Sequence, residues 1–358
     1  MRVLVATDAW RPQVNGVVRT YERLDLEIRK SGCELAIVSP NEFRSIPCPT
    51  YPEIRLAVPG YQYLIERVTC INPDAVHIAT EGPVGWMMRA YCRGRNIPFT
   101  TAFHTRFPDY LKSRFGVPLS WTFATQRHFH NAGAGIMVAS QSLATELSAR
   151  GFQPVMPWTR GVDTDLFHPR KTRLFGDGPV FLYVGRVAVE KNIEAFLNLD
   201  LPGRKVVVGT GPLLEHLRAQ YPDVTFTGKK VGEDLAACYA SADVFCFPSR
   251  TDTFGIVLIE ALASGLPVAA FPVTGPRDIV RDGVSGALSE DLREACLRAL
   301  DLKPAGALET ASHYTWDNAA RLFLSNIETA LFSRQGRSVP ARQRKQKRRR
   351  TTTPYRAS

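Results

Sequence analysis

An α/β protein of two doubly wound halves facing a cleft is what this sequence predicts, and three observations carry the prediction. Short β-rich apolar runs alternate with helical patterns, the mark of parallel sheets covered by helices. The alternation stops at a stretch rich in Pro, Gly and charge, and then begins again. The 358 residues suffice for two domains of ordinary size.

The first series opens with RVLVAT (2–7), a strand, followed by a loop with Pro12 and Gly16. VVRTYERLDLEIRKSG (17–32) reads as a helix closed by glycine. LAIVSP (35–40) and DAVHIA (74–79) are strands, and WMMRAYCRGR after them is a helix candidate. PFTTAF (98–103) and GIMVAS (135–140) continue the series. RGVDTDLFHPRKTRLFGDGP (160–179) reads as linker. PVFLYVG (179–185), KVVVGTG (205–211), VTFTG (224–228), DVFCFPS (243–249) and PVAAFP (267–272) are the strands of the second series, with helices such as 212–220 and 233–241 between them. The predicted organisation is a first domain over 1–168, a linker over 169–178 and a second domain over 179–313. A helix over 314–333 is expected to pack back on the first domain, and a basic tail occupies 334–358. In doubly wound folds ligands bind at the carboxyl ends of the strands, which puts the site in the cleft between the halves.

Composition narrows the class. A hydrophobic content of 44% and a charged content of 22% are those of a globular protein. No run approaches the roughly 20 apolar residues of a membrane span, and MRVLVATDAW lacks a signal-peptide layout. The seven cysteines (33, 48, 70, 92, 238, 246 and 296) form no CxxC pair and fit buried thiols in a reducing cytosol, not a disulfide or zinc framework. Of the net charge of +11, the tail RQGRSVPARQRKQKRRRTTTPYRAS contributes ten Lys or Arg and no acid, which leaves a body near +1. Such a tail cannot bury enough apolar surface to fold, and its natural partner is a polyanion, either anionic lipid or nucleic acid. No aromatic interrupts the tail's basic core to stack on bases, so nucleic acid is the poorer fit.

The chemistry concentrates in TDTFGIVLIEALASG (251–265). A strand end leads into a loop, Gly255 starts a buried helix, and the free N–H groups near Thr253, Phe254, Gly255 and Ile256 face the cleft as an anion site. Asp252 precedes this helix, and Glu260 lies about one and a half turns inside it. A phosphate in the middle, with a hydroxyl-bearing ring on either side, explains both acids, which is the layout of a nucleotide sugar. VGRVAVEKN (184–192) supplies Arg186 and Lys191 at a strand's carboxyl end, where a guanidinium fork and an ammonium would hold a diphosphate.

The pairing of GRVAVEKN with TDTFGIVLIEALASGLPV resembles the retaining glycosyltransferases of family 4, which have the GT-B fold of two Rossmann-like domains. In that family an acid, seven intervening residues and a glutamate form the donor-sugar motif; here the pair is Asp252 and Glu260, with Asp where Glu is usual. TDTFG resembles a subgroup that makes mannosylated or glycosylated lipids. RGVDTDLFHP resembles the family's Asn-Gly-Val-Asp segment with Arg160 in place of Asn. The resemblance implies that Gly16, in PQVNGVVRT, approaches the donor phosphate by its backbone N–H. It also implies that His104, in FHTRFPDY, is the active-site histidine, bonding the donor sugar or orienting the acceptor. It implies transfer of a hexose with retention, from a donor that is UDP- or GDP-linked; neither a metal nor another cofactor is needed if Arg186, Lys191 and a helix dipole neutralise the leaving diphosphate.

DTD (163–165) precedes Phe-His-Pro and reads as a turn, not a metal motif. HFH (128–130) has no third ligand nearby. RFPDYLKSRFGVPLSW (106–121) is a basic amphipathic patch. Together with the tail it points to a lipid acceptor, such as diacylglycerol or a phosphoinositide-type lipid, and to peripheral attachment at the inner face of the cytoplasmic membrane. Two rivals are a nucleotide-sugar epimerase of the same architecture and a nucleic-acid-binding protein acting through the tail.

Overall fold

A computed structural model of the chain describes residues 1–13, 16–48, 51–58, 60–104, 118–252 and 254–335. Thr253, most of the amphipathic patch at 106–121, and the tail beyond Gln335 lie outside the described residues.

Two six-stranded parallel sheets dominate. The first comprises β1 (Arg2–Ala6), β2 (Glu34–Val38), β5 (Ala75–Ile78), β6 (Phe99–Phe103), β7 (Gly135–Val138) and β8 (Val155–Pro157), in the order β2-β1-β5-β6-β7-β8. The second comprises β9 (Val180–Val184), β10 (Arg204–Val208), β11 (Thr225–Gly228), β12 (Val244–Phe247), β13 (Val268–Ala270) and β14 (Gly286–Leu288), in the order β11-β10-β9-β12-β13-β14. Two doubly wound domains result. An antiparallel pair, β3 (Ser45–Cys48) and β4 (Tyr51–Ala57), stands apart from both sheets; three prolines in SIPCPTYPEI hide it from a reading by alternation.

Each sheet is covered on both faces because its central strands are apolar on both. Along β1, Leu4 and Ala6 join Val84 and Met88 on one side, while Val3 and Val5 join Tyr21 and Leu24 on the other. Along β9, Val180, Leu182 and Val184 face the helix Ile256–Ala263, and Phe181 and Tyr183 face the opposite layer. The period of two follows from the alternation of side chains along a strand.

The last helix, Trp316–Gln335, belongs by sequence to the second half and by packing to the first. Its Ala320, Phe323 and Ile327 sit among Val3, Val5, Tyr21, Met137 and Trp158. The Trp158 indole N–H donates to the Ala319 carbonyl at 3.1 Å, and Asn326 donates to the Pro157 carbonyl at 2.9 Å. The chain therefore crosses between domains twice, and the two crossings touch: Val162 N–H donates to the Tyr314 carbonyl at 2.9 Å, beside a Val162–Thr315 bridge. A Cβ at Gly161 would overlap the Trp316 backbone, so only glycine lets them pass this closely.

Candidate active site

In each sheet the strand order reverses at one point, between β1 and β5 in the first and between β9 and β12 in the second. Loops leave adjacent strands in opposite directions there, which opens a crevice at the carboxyl ends. The β9 and β12 loops of the second domain carry Arg186, Lys191, Asp252 and Gly255, four of the residues singled out by sequence.

These two loops are tied together. Lys191 Nζ is ion-paired with Asp252 Oδ1 at 2.5 Å, both being about three-quarters buried. Asn192 donates to the Pro248 carbonyl at 3.0 Å, and the Thr251 hydroxyl donates to the Glu190 carbonyl at 3.3 Å. The Tyr183 hydroxyl donates to the Arg186 carbonyl at 2.8 Å, pinning the backbone that bears the guanidinium. Behind them Gly209 holds φ +150°, and a Cβ there would overlap the Gly185 carbonyl.

Gly255 caps the Ile256–Ala263 helix at φ 87°, a left-handed conformation that favours glycine. The Phe254 side chain is buried and meets Tyr314 edge-on with centroids 5.9 Å apart, so this residue can offer a ligand only its backbone. On the other wall Gly16 begins the helix Gly16–Arg29. A Cβ at Gly16 would stand 3.5 Å from Ile256 Cδ1. Two helix N-termini, one from each domain, therefore converge, and their partial positive charges favour an anion between them.

Glu260 is 4% exposed. One carboxylate oxygen accepts from the Tyr239 hydroxyl at 3.0 Å, and the other lies 3.4 Å from Arg19 Nη1 of the first domain. Burial raises the Glu260 carboxyl above the ordinary range, opposed by Arg19 and by the Tyr239 hydroxyl. Sequence reasoning missed both partners. Arg19 lies three residues after Gly16 on the same helix face, a signal that could have found it; Tyr239, 21 residues before Glu260, gave none.

His104 follows β6 at the first domain's edge, but its ring is engaged with the protein itself. Nε2 is 3.0 Å from the Tyr21 hydroxyl, and Nδ1 is 3.2 Å from Arg160 Nη2. The same hydroxyl is 2.8 Å from His77 Nε2, whose Nδ1 is 2.7 Å from Thr100 Oγ1. Burial first, and Arg160 second, push His104 well below the usual histidine value and His77 down to about 3. A hydrogen bond from this ring to a sugar, the role expected from the sequence, would displace one of these partners.

The remaining motifs have structural partners. Asp163 of DTD accepts an ion pair from Arg23 at 3.0 Å, and its carbonyl accepts from Phe167 N–H in a turn. His128 stacks on Trp86, while His130 lies 2.8 Å from Thr101 Oγ1 and 2.9 Å from Glu81 Oε1. A further interdomain contact closes the rim: Ser142 N–H, in the first turn of the Gln141–Ala149 helix, donates to Asp278 Oδ1 of the other domain at 2.9 Å.

Two facing doubly wound domains, with cations and helix N-termini at their shared crevice, define the GT-B class. Residues 14–166 match Glycosyltransferase Family 4, and residues 178–301 match Glycosyl transferases group 1. The chain is 30% identical over 317 residues to a GDP-mannose-dependent alpha-mannosyltransferase of Mycobacterium tuberculosis, covering 80% of this chain and 83% of that one. It is 26% identical over 371 residues to the alpha-monoglucosyldiacylglycerol synthase of Streptococcus pneumoniae, covering 90% and 83%. The structure of HepE of Anabaena with UDP-glucose superposes with a TM-score of 0.69 at 14% identity, covering 92% of this chain and 99% of that one. The chain belongs to the family 4 glycosyltransferases.

Proposed function

We propose that this glycosyltransferase moves a hexose, mannose or glucose, from a nucleoside-diphosphate sugar to a hydroxyl of a membrane lipid, with retention of anomeric configuration. The observation that carries the reading is the meeting of the Gly16 and Ile256 helix N-termini beside the Lys191–Asp252 pair. In this reading the diphosphate lies between the N-termini, Arg186 and Lys191 stabilise the charge that grows on it as the glycosidic bond breaks, and Glu260 holds the ribose. Asp252 faces the sugar. Charge stabilisation by cations and backbone dipoles requires neither a metal nor a cofactor besides the donor.

The lipid acceptor draws support from the glucosyldiacylglycerol-forming relative and from the basic tail, which together with the patch at 106–121 would provide two weak anchors to an anionic surface. Among the described residues no helix is long and apolar enough to cross a membrane. Attachment to the inner face of the cytoplasmic membrane is therefore peripheral in this reading.

The test is a thermal-shift panel of UDP- and GDP-linked hexoses, followed by product analysis with diacylglycerol and phosphatidylinositol in EDTA. One donor should add about 2.7 kcal/mol of stability at 100 times its dissociation constant, and the product should be an α-linked glycolipid formed from an α-linked donor. Turnover of donor alone to its epimer would overturn transfer. An inverted product would overturn retention, and loss of activity in EDTA would overturn metal independence. Sedimentation with anionic vesicles, with and without residues 334–358, tests attachment; no binding by either form counts against it.

A further inference from the structure

Arg160, on the first crossing between the domains, is unusual in its setting. It is 4% exposed, and no carboxylate is ion-paired with it among the described residues. Its guanidinium lies 4.0 Å from the centre of the Trp158 ring, donates to the Trp158 and Thr159 carbonyls at 2.7 and 3.1 Å, and extends Nη2 to His104 Nδ1. Burial pushes its pKa down to about 10, so it stays a cation at neutral pH. A buried cation without a counter-ion is costly unless its donors are used, and one of those donors is aimed at an imidazole.

The protons of the surrounding network can be counted. Tyr21 has one hydroxyl proton and faces two imidazole nitrogens, His77 Nε2 and His104 Nε2. With both rings neutral, it donates to one and accepts from the other. Left alone, the two directions of this chain would be similar in energy. Arg160 breaks the tie, because a guanidinium can only donate. His104 Nδ1 must then be the lone-pair nitrogen, and the ring proton lies on Nε2. His104 therefore donates to Tyr21, Tyr21 donates to His77 Nε2, and His77 Nδ1–H donates to Thr100.

We infer that Arg160 is a positioning residue that fixes His104 as the Nε2–H tautomer and, through Tyr21, fixes His77 as the Nδ1–H tautomer. The ring proton of His104 then points toward Tyr21 in the first domain's core. In glycosyl transfer His104 acts as an oriented neutral ring at the cleft edge, with neither nitrogen acting as a base. Only this last consequence rests on the reading under Proposed function; the tautomer assignment stands without it.

The experiment is a two-bond ¹H–¹⁵N correlation spectrum of the full chain labelled at histidine, which separates protonated from lone-pair ring nitrogens for each of the seven histidines. The wild type should show Nε2–H at His104 and Nδ1–H at His77. Arg160→Met should release both rings together into the opposite or a mixed tautomer, and Arg160→Lys should restore the wild-type pattern. Tyr21→Phe should leave His104 as Nε2–H, since Arg160 alone imposes it; this variant decides the matter if Arg160→Met fails to fold. An Nδ1–H His104 in the wild type, unchanged tautomers in Arg160→Met, or a His104 that switches in Tyr21→Phe would each overturn the assignment. In the transfer assay Arg160→Met should lose about tenfold or more in kcat, within the loss that a misplaced site group causes, with the donor KM changed less. Altered tautomers with unchanged kcat would leave the tautomer role standing and remove its bearing on turnover.

Discussion

Arg19 Nη1 and Glu260 Oε1 stand 3.4 Å apart across the domain boundary, joining residues 241 positions distant in the chain. The carboxylate is buried and the guanidinium is partly open to solvent, so the cost of desolvation falls mainly on Glu260. Because the folded pKa of Glu260 is raised, the native chain holds that proton more tightly than the unfolded chain. Its ionisation therefore opposes folding: the cost is absent below the ordinary carboxylate range and complete once pH exceeds the raised folded value. Glu260→Gln is expected to melt higher than the wild type at pH 7 and to lose that advantage as pH falls toward about 4, while binding donor at least about tenfold more weakly, as when a charge-assisted hydrogen bond is lost. Thermal melts over this range, together with donor titrations, measure both effects.

Lys191 and Asp252 share an ion pair at the floor of the crevice, so their effects should not add. Lys191→Ala and Arg186→Ala are each expected to lower turnover by about 10²-fold, the usual effect of removing one group that stabilises an oxyanion. A double-mutant cycle over Lys191→Ala and Asp252→Asn should return a coupling of about 0.5–3 kcal/mol. Strict additivity would show that the pair is incidental.

Asp278 places its carboxylate on the first turn of a helix in the other domain. Asp278→Ala should cost about 1 kcal/mol, as for an ordinary N-cap, and should loosen the rim. Small-angle scattering is expected to report a larger radius of gyration without donor and the wild-type value with it.

Phe323 is fully buried against His77 and Trp158, with centroids 5.1 Å away in both cases. Phe323→Ala is expected to destabilise the first domain by about 3–5 kcal/mol, although the residue follows the whole second domain in sequence. Calorimetry with a resolvable transition for each domain would locate the loss; a loss confined to the second domain would contradict the packing.

How much of this was readable from the chain depended on the range of each interaction. RVLVAT, GIMVAS and PVFLYVG are locally consistent, and the structure has strands within them, shortened by one or two residues where the chain turns into loops. The Gly255 turn is likewise a local pattern: the glycine was legible as the start of a buried helix, and it caps Ile256–Ala263 at φ 87°. What stayed hidden is long-range. Arg19 reads as an ordinary helix-surface arginine until Glu260 arrives from the second domain. His104, Tyr21, His77 and Arg160 become a network only when the Gly16–Arg29 helix, β5, β6 and the first crossing are assembled. Phe254 sits in a motif that suggests ligand contact, yet its ring goes to the core against Tyr314.

The adjoining crossings at Val162 and Thr315 bear on how the molecule is made. A ribosome emits β1 to β8 first, but the helix that covers one face of their sheet emerges only after all of β9 to β14. During synthesis His77 and Trp158 wait for Phe323, and the earlier half of the polypeptide matures last.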